Sequence, residues 1–204
     1  MTTQLLPTAA RAWTMAAVSY DSPAARELTQ ALQREQHGIY GRADDPETTA
    51  AAEFESPCGV FLVTERADGI ALACGGWRTV GLTTAEVKRM YVAPAARGQG
   101  YGRRLLEALE QDASRHGMTK VILETGVSNH VALALYKRCG YTLVEPYVLG
   151  RDPRINRALS KDLSLPWEVQ PEYGTERLAL PHKLNDPDST TGPSWLPLRV
   201  GRLS

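Results

Sequence analysis

The sequence predicts a mixed α/β fold, a central β-sheet carrying helices on its faces. Three observations predict it. Short β-prone runs recur at 59–65, 70–78, 84–92 and 120–125. Segments with helical apolar spacing are set before and between them, and most of the helices carry their own start or stop residue.

Taken in order, residues 13–19 form a first strand. Ser22 and Pro23 then start a helix, serine at the N-cap and proline at the first helical position. Leu28, Ala31 and Leu32 give it an apolar stripe as far as about Gln36. Residues 38–47 are turn-rich, with Tyr40-Gly41 and Asp44-Asp45-Pro46, and a short helix is placed near 47–53. Val60, Phe61, Leu62 and Val63 mark the next strand, and Ala67-Asp68-Gly69 turns the chain back as a hairpin. The returning strand holds Gly75-Gly76, which predicts a bulge or a close backbone approach. Residues 84–92 form a strand that stops before Pro94. A helix from Gly102 runs to His116-Gly117, where glycine caps it. Residues 120–125 make a compact buried strand. Ala132, Leu135, Tyr136 and Cys139 share a helical stripe over 129–139, which Gly140 ends. Strands over 141–145 and 157–163 follow.

At 204 residues the chain has room for one domain plus an extension. Residues 1–11 read as a leader and 12–163 as the folded domain. Residues 164–204 read as a proline-rich, mobile extension, because they carry Pro166, Pro171, Pro181, Pro187, Pro193 and Pro197 without sustained periodicity. The 23 basic and 23 acidic residues cancel, so composition gives no support for a nucleic-acid or membrane partner. No apolar run approaches the ~20 residues of a membrane span, and no signal-peptide pattern opens the chain. Cys58, Cys74 and Cys139 are widely spaced and lack a C-x-x-C partner, which predicts free thiols, a reducing cytoplasm and no metal site. The four histidines show no metal-ligand spacing either.

The most informative stretch joins the strand over 84–92 to the following helix. Arg97, Gly98, Gln99, Gly100, Tyr101, Gly102 and Arg103 lie at that join. Backbone N–H groups at a helix start have no intrahelical partner, and the helix dipole adds partial positive charge. Glycines allow an anion close to the backbone, and Arg97, Arg103 and Arg104 add full charge. The turn is G-x-G-x-G, so it is neither the G-x-G-x-x-G dinucleotide fingerprint nor the ATP loop, which ends in Gly-Lys-Ser/Thr.

Arg97 to Gly102 reads R-x-x-G-x-G after Met90-Tyr91-Val92-Ala93-Pro94, and this resembles the acetyl-CoA pyrophosphate loop of the GNAT N-acetyltransferases. A second resemblance lies about 30 residues on, where Asn129 precedes Leu135-Tyr136 and Gly140-Tyr141. The resemblance implies a GNAT-like fold over 12–163, with a central mixed, mostly antiparallel sheet flanked by helices on both faces. It implies transfer of the acetyl group of acetyl-CoA directly to an amine acceptor, a small molecule or a protein amine, by a monomer or homodimer. It assigns pyrophosphate contacts to residues 97–103, and pantetheine contacts to Asn129 and to the backbone at Met90, Tyr91 and Val92. It places the Tyr136 hydroxyl near the thioester sulfur as the acid. It makes Tyr40, Trp77 and Arg78 candidates for the acceptor wall.

The residues themselves leave choices open. Tyr136 lies on the apolar stripe of its helix, where a core tyrosine is an equal reading. Asn129 is also a helix cap. The amine must lose a proton, and Glu124, Glu86 or a water chain are the candidate acceptors. A backbone N–H on the strand before the glycine turn is the candidate donor to a developing oxyanion. Two rival functions use the same cradle: a non-catalytic acyl-CoA-binding regulator, and a nucleotide-binding protein.

Overall fold

Strand pairing sets the frame of the molecule. In the computed structural model, which describes residues 12–148, 152 and 154–163, seven strands make one sheet. They are β1 (Trp13–Ala17), β2 (Gly59–Arg66), β3 (Ala71–Gly81), β4 (Thr84–Val92), β5 (Lys120–Gly126), β6 (Thr142–Val144) and β7 (Asn156–Asp162). Their order is β1-β2-β3-β4-β5-β7-β6. Every neighbouring pair is antiparallel except β4 and β5. A parallel pair needs a crossover, and α2 (Tyr101–Arg115) supplies it. Two other helices are α1 (Pro23–Tyr40) and α3 (His130–Arg138). The expected leader and proline-rich extension lie outside the described residues.

Alternation along the strands divides the interior in two. On one face Leu72, Trp77, Ala85, Val87, Val121 and Leu123 pack with Leu105, Leu106 and Leu109 of α2. On the other, Phe61, Val63, Cys74 and Tyr91 pack with Ala25 and Leu28 of α1 and with Phe54. Fully burying one such side chain stabilises by about 1.5–3 kcal/mol, so these two cores hold α1 and α2 against opposite faces.

The expected start of α1 is present: the Ser22 hydroxyl accepts from the Ala25 N–H at 3.4 Å, and Pro23 follows. Its expected end is corrected. The helix passes Gln36 and Gly38 and stops at Tyr40, where Gly41 takes φ 70° and its N–H donates to the His37 carbonyl at 2.8 Å. A glycine inside a helix costs about 1 kcal/mol without ending it. The expected short helix is two 3₁₀ turns, Pro46–Thr48 and Ala51–Phe54.

The bulge signalled by Gly75-Gly76 is also relocated. Cys74 faces Tyr91 and Gly76 faces Lys88, so the extra residue belongs to β4 and not to β3. Arg89 sits there with φ 58°, a left-handed conformation uncommon outside glycine. The two glycines provide the close approach instead. A Cβ at Gly75 would stand 2.9 Å from the Met90 side chain, and one at Gly76 would stand 2.6 Å from the Phe54 ring.

The bulge coincides with a parting of strands. β4 and β5 pair from Thr84 opposite Lys120 to Val87 opposite Leu123, and no pairing is formed beyond. β4 continues to Val92 and β5 to Gly126. A wedge therefore opens between them, at the same end of the sheet as the start of α2.

Candidate active site

The start of α2 carries an anion cradle. Gly100 is its N-cap at φ 83°, no side chain caps it, and no acidic residue occupies its first turn. The first N–H groups thus face outward without a protein acceptor at the cap. Gly98 also takes a positive φ, 75°, with open space where a Cβ would stand. Gly102 lies against Val92 and Leu135, where a built Cβ would make ordinary contact at 3.6 and 3.4 Å, so the helix start packs closely on β4 and α3. The arginines are held but exposed. Arg97 donates to the Val92 carbonyl at 3.0 Å, pairs with Glu35 and lies 5.7 Å over the Tyr91 ring. Arg103 pairs with Glu107 at 2.7 Å, and Gln99 donates to the Ala95 carbonyl at 3.1 Å. These features suit a polyanion resting on a helix start.

At the wedge, α3 presents Tyr136. Its side chain is buried against Tyr141, and its hydroxyl approaches Met90 Sδ at 3.9 Å. Burial disfavours the phenolate and pushes the Tyr136 pKa well above the usual 10.0. The hydroxyl therefore keeps its proton at neutral pH. Asn129 is exposed and caps α3, its side-chain oxygen accepting from the Ala132 N–H at 3.1 Å. Its amide nitrogen is not used by the cap.

On the α1 face a cleft of about 340 Å³ opens beside the wedge. Its walls come from five places: Gln36 and Tyr40 of α1, the loop with Arg42 and Asp44, Glu86 to Arg89 of β4, Glu124 to Gly126 of β5, and Asn156 of β7. The Tyr40 hydroxyl is buried over Gly126, where a Cβ would collide with it. Glu86 is buried and bound from three sides. Its Oε2 accepts from Arg78 at 2.7 and 2.9 Å, and its Oε1 accepts from the Tyr147 hydroxyl at 3.1 Å and lies 3.6 Å from Lys88 Nζ. Burial first, then the charges of Glu86 and Glu124, raise the Tyr147 pKa far above its usual value. Glu124 is half-buried in the cleft wall.

Residues 25–141, more than half of the chain, match the acetyltransferase (GNAT) family. The chain belongs to that family. It is 41% identical over 98 residues to an IAA acetyltransferase of Azospirillum brasilense, covering 46% of this chain and 61% of that protein. It is 39% identical over 106 residues to the N-alpha-acetyltransferase RimI of Mycobacterium tuberculosis, covering 50% and 65%. Each match thus spans less than two thirds of the relative. Among solved structures, a Klebsiella pneumoniae protein assigned as an acyl-CoA N-acyltransferase superposes with a TM-score of 0.62 and 27% identity, over 74% of this chain and 98% of that one. The fold is also that of YncA of Salmonella typhimurium, solved with its cofactor acetyl-CoA (TM-score 0.56, 20% identity, 75% and 95% covered).

Within this GNAT domain, the glycine turn packs on β4 beyond its bulge through Gly102 and Val92, and the Tyr136 hydroxyl reaches Met90 of the same segment. Met90 and Val92 turn toward the α2 side and Tyr91 toward the α1 side, as alternation predicts. Tyr40, Glu86 and Glu124 line the cleft. Trp77 does not. It is fully buried on the α2 face, its Nε1 donating to Asp112 at 2.8 Å and its ring 5.5 Å from that of His116. Its place on the odd-numbered face of β3 decides this. Arg78 has the correct face but stands behind the wall, tied to Glu53 and Glu86. Sequence reasoning missed Arg42, Asp44, Lys88, Arg89, Tyr147 and Asn156. Lys88 alternates with Glu86 on one strand face, a signal that was available; the others arrive through loops or a bulge and leave no periodic trace.

Proposed function

We propose that this protein is an acetyl-CoA-dependent N-acetyltransferase, acting on a small-molecule or protein amine in the cytoplasm. The observation that carries this reading is a convergence. The uncapped start of α2 packs on Val92 of β4, the buried Tyr136 hydroxyl reaches Met90 of the same segment, and a carboxylate-bearing cleft lies where β4 and β5 part. Family membership supports the same reading.

Acetyl-CoA, when bound, supplies an acetyl group activated as a thioester. The residues fit such a donor. The N–H groups at the start of α2, with Gly98, Gly100 and Gly102, receive the pyrophosphate, and Arg97 and Arg103 exchange exposed carboxylate partners for it. The backbone of β4 beyond the bulge lacks a β5 partner, so Met90, Tyr91 and Val92 can pair with the pantetheine arm, as can the Asn129 amide. Tyr136 donates a proton to the departing sulfur, and its burial keeps that proton available. Glu124 takes the proton from the acceptor amine. Glu86 is assigned to positioning, because Arg78, Lys88 and Tyr147 already occupy its oxygens. The relatives named as an IAA acetyltransferase and as an N-alpha-acetyltransferase support acceptors of more than one class. The mixed-charge cleft suits a polar amine in either class.

The test is CoA-thiol release from acetyl-CoA over a panel containing a polyamine, an aminoglycoside, free amino acids and a peptide with a free N-terminus. Release above background with at least one amine supports the reading. CoA binding by calorimetry with no release across the panel leaves the non-catalytic binder as the better description.

A further inference from the structure

We propose that Arg89 is a positioning residue that fixes the acceptor wall to the donor-binding strand. The inference rests on the N-acetyltransferase reading and adds to it a determinant of acceptor binding. Arg89 is the extra residue of the β4 bulge, held at φ 58°. That conformation throws its side chain out of the strand and across to the loop after α1. There its guanidinium donates to the Asp44 carbonyl at 3.2 Å, the Asp45 carbonyl at 3.2 Å and the Thr49 hydroxyl at 2.9 Å. The Tyr20 hydroxyl donates to the next carbonyl, Pro46, at 3.1 Å. Three consecutive carbonyls are thus held from outside the loop.

The geometry couples two parts of the site. Arg42, Ala43 and Asp44, at the start of this loop, line the cleft, as does Arg89 itself. The bulge that Arg89 occupies is where β4 parts from β5. The bulge backbone, which glycine also adopts, shapes the strand edge offered to the donor, while the Arg89 side chain anchors the wall offered to the acceptor. It does so at a cost, with a left-handed backbone and a buried Nε that has no hydrogen-bond partner. Only a planar fork spans three acceptors in this way; a lysine ammonium keeps the charge but not the geometry.

Three variants test this. Arg89→Lys keeps the charge, Arg89→Gly accepts the positive φ while removing the fork, and Thr49→Val removes one acceptor without touching β4. Hydrogen exchange of residues 42–49, measured without ligand, should quicken about tenfold in both Arg89 variants, and less in Thr49→Val, as expected for loss of charge-assisted hydrogen bonds. With the panel amine that turns over fastest, the acceptor KM should rise about five- to tenfold while the acetyl-CoA KM stays within about twofold. Unchanged exchange in both Arg89 variants, or the two KM values rising together, overturns the proposal. Absence of turnover in the unmodified protein overturns the N-acetyltransferase reading instead, so the two failures are told apart.

Discussion

The proposed donor and acceptor sides of the wedge are built from different material. The donor side is mostly backbone: helix N–H groups, two glycines at positive φ and a strand edge left without a partner. The acceptor side is mostly side chains, drawn from α1, its following loop, β4, β5 and β7. Backbone sites need special residues at fixed spacing, chiefly glycine, so they tie a chain to one ligand class. Side-chain sites assembled from distant elements can change one wall at a time. This difference explains how one fold can keep its donor while its acceptors vary.

The largest effect is expected where the two sides meet. Tyr136→Phe should lower kcat by about a hundredfold or more, the usual scale for loss of a general acid, with little change in either KM. Burial raises the Tyr136 pKa above 10.0, so the unmodified protein, if it acts as proposed, should show no loss of kcat from this group as pH rises to about 10. Steady-state kinetics across pH check both points. Next, Gly100→Val should act on the donor side alone. A β-branched residue at φ 83° is strained by about 1–2 kcal/mol, which predicts an acetyl-CoA KM raised about tenfold and an unchanged acceptor KM. The smallest catalytic effect belongs to Trp77→Phe. Losing the Asp112 hydrogen bond and part of a packed ring should cost about 2 kcal/mol in denaturant unfolding, and leave both KM values as they were. A shift in acceptor KM there would return Trp77 to the acceptor wall.

The same contrast sets what was legible in the sequence. The strand ending at Val92, the glycine turn and the helix start are contiguous, so Arg97, Gly98, Gly100 and Gly102 could be placed by reading along the chain. Tyr136 is singled out by the resemblance, with Asn129 seven residues before it, and the packing of its hydroxyl on Met90 is visible only in the fold. Trp77 was misplaced because one residue of strand register separates the two faces, and its neighbour Arg78 lies on the other. Gly75-Gly76 signals a bulge or a close backbone approach; the glycines provide the close approach, whereas the bulge's extra residue lies in the partner strand at Arg89. A left-handed arginine has no sequence signature. Tyr40 reached the cleft because α1 runs one turn further than Gly38 suggested.

Hydrogen exchange with and without acetyl-CoA measures the division between the two sides most directly. Binding should slow exchange at Met90 to Val92 and at Gly98 to Arg103, and leave residues 42–49 at their ligand-free rates. Protection confined to residues 42–49 and 124–126, with none at the start of α2, would contradict it.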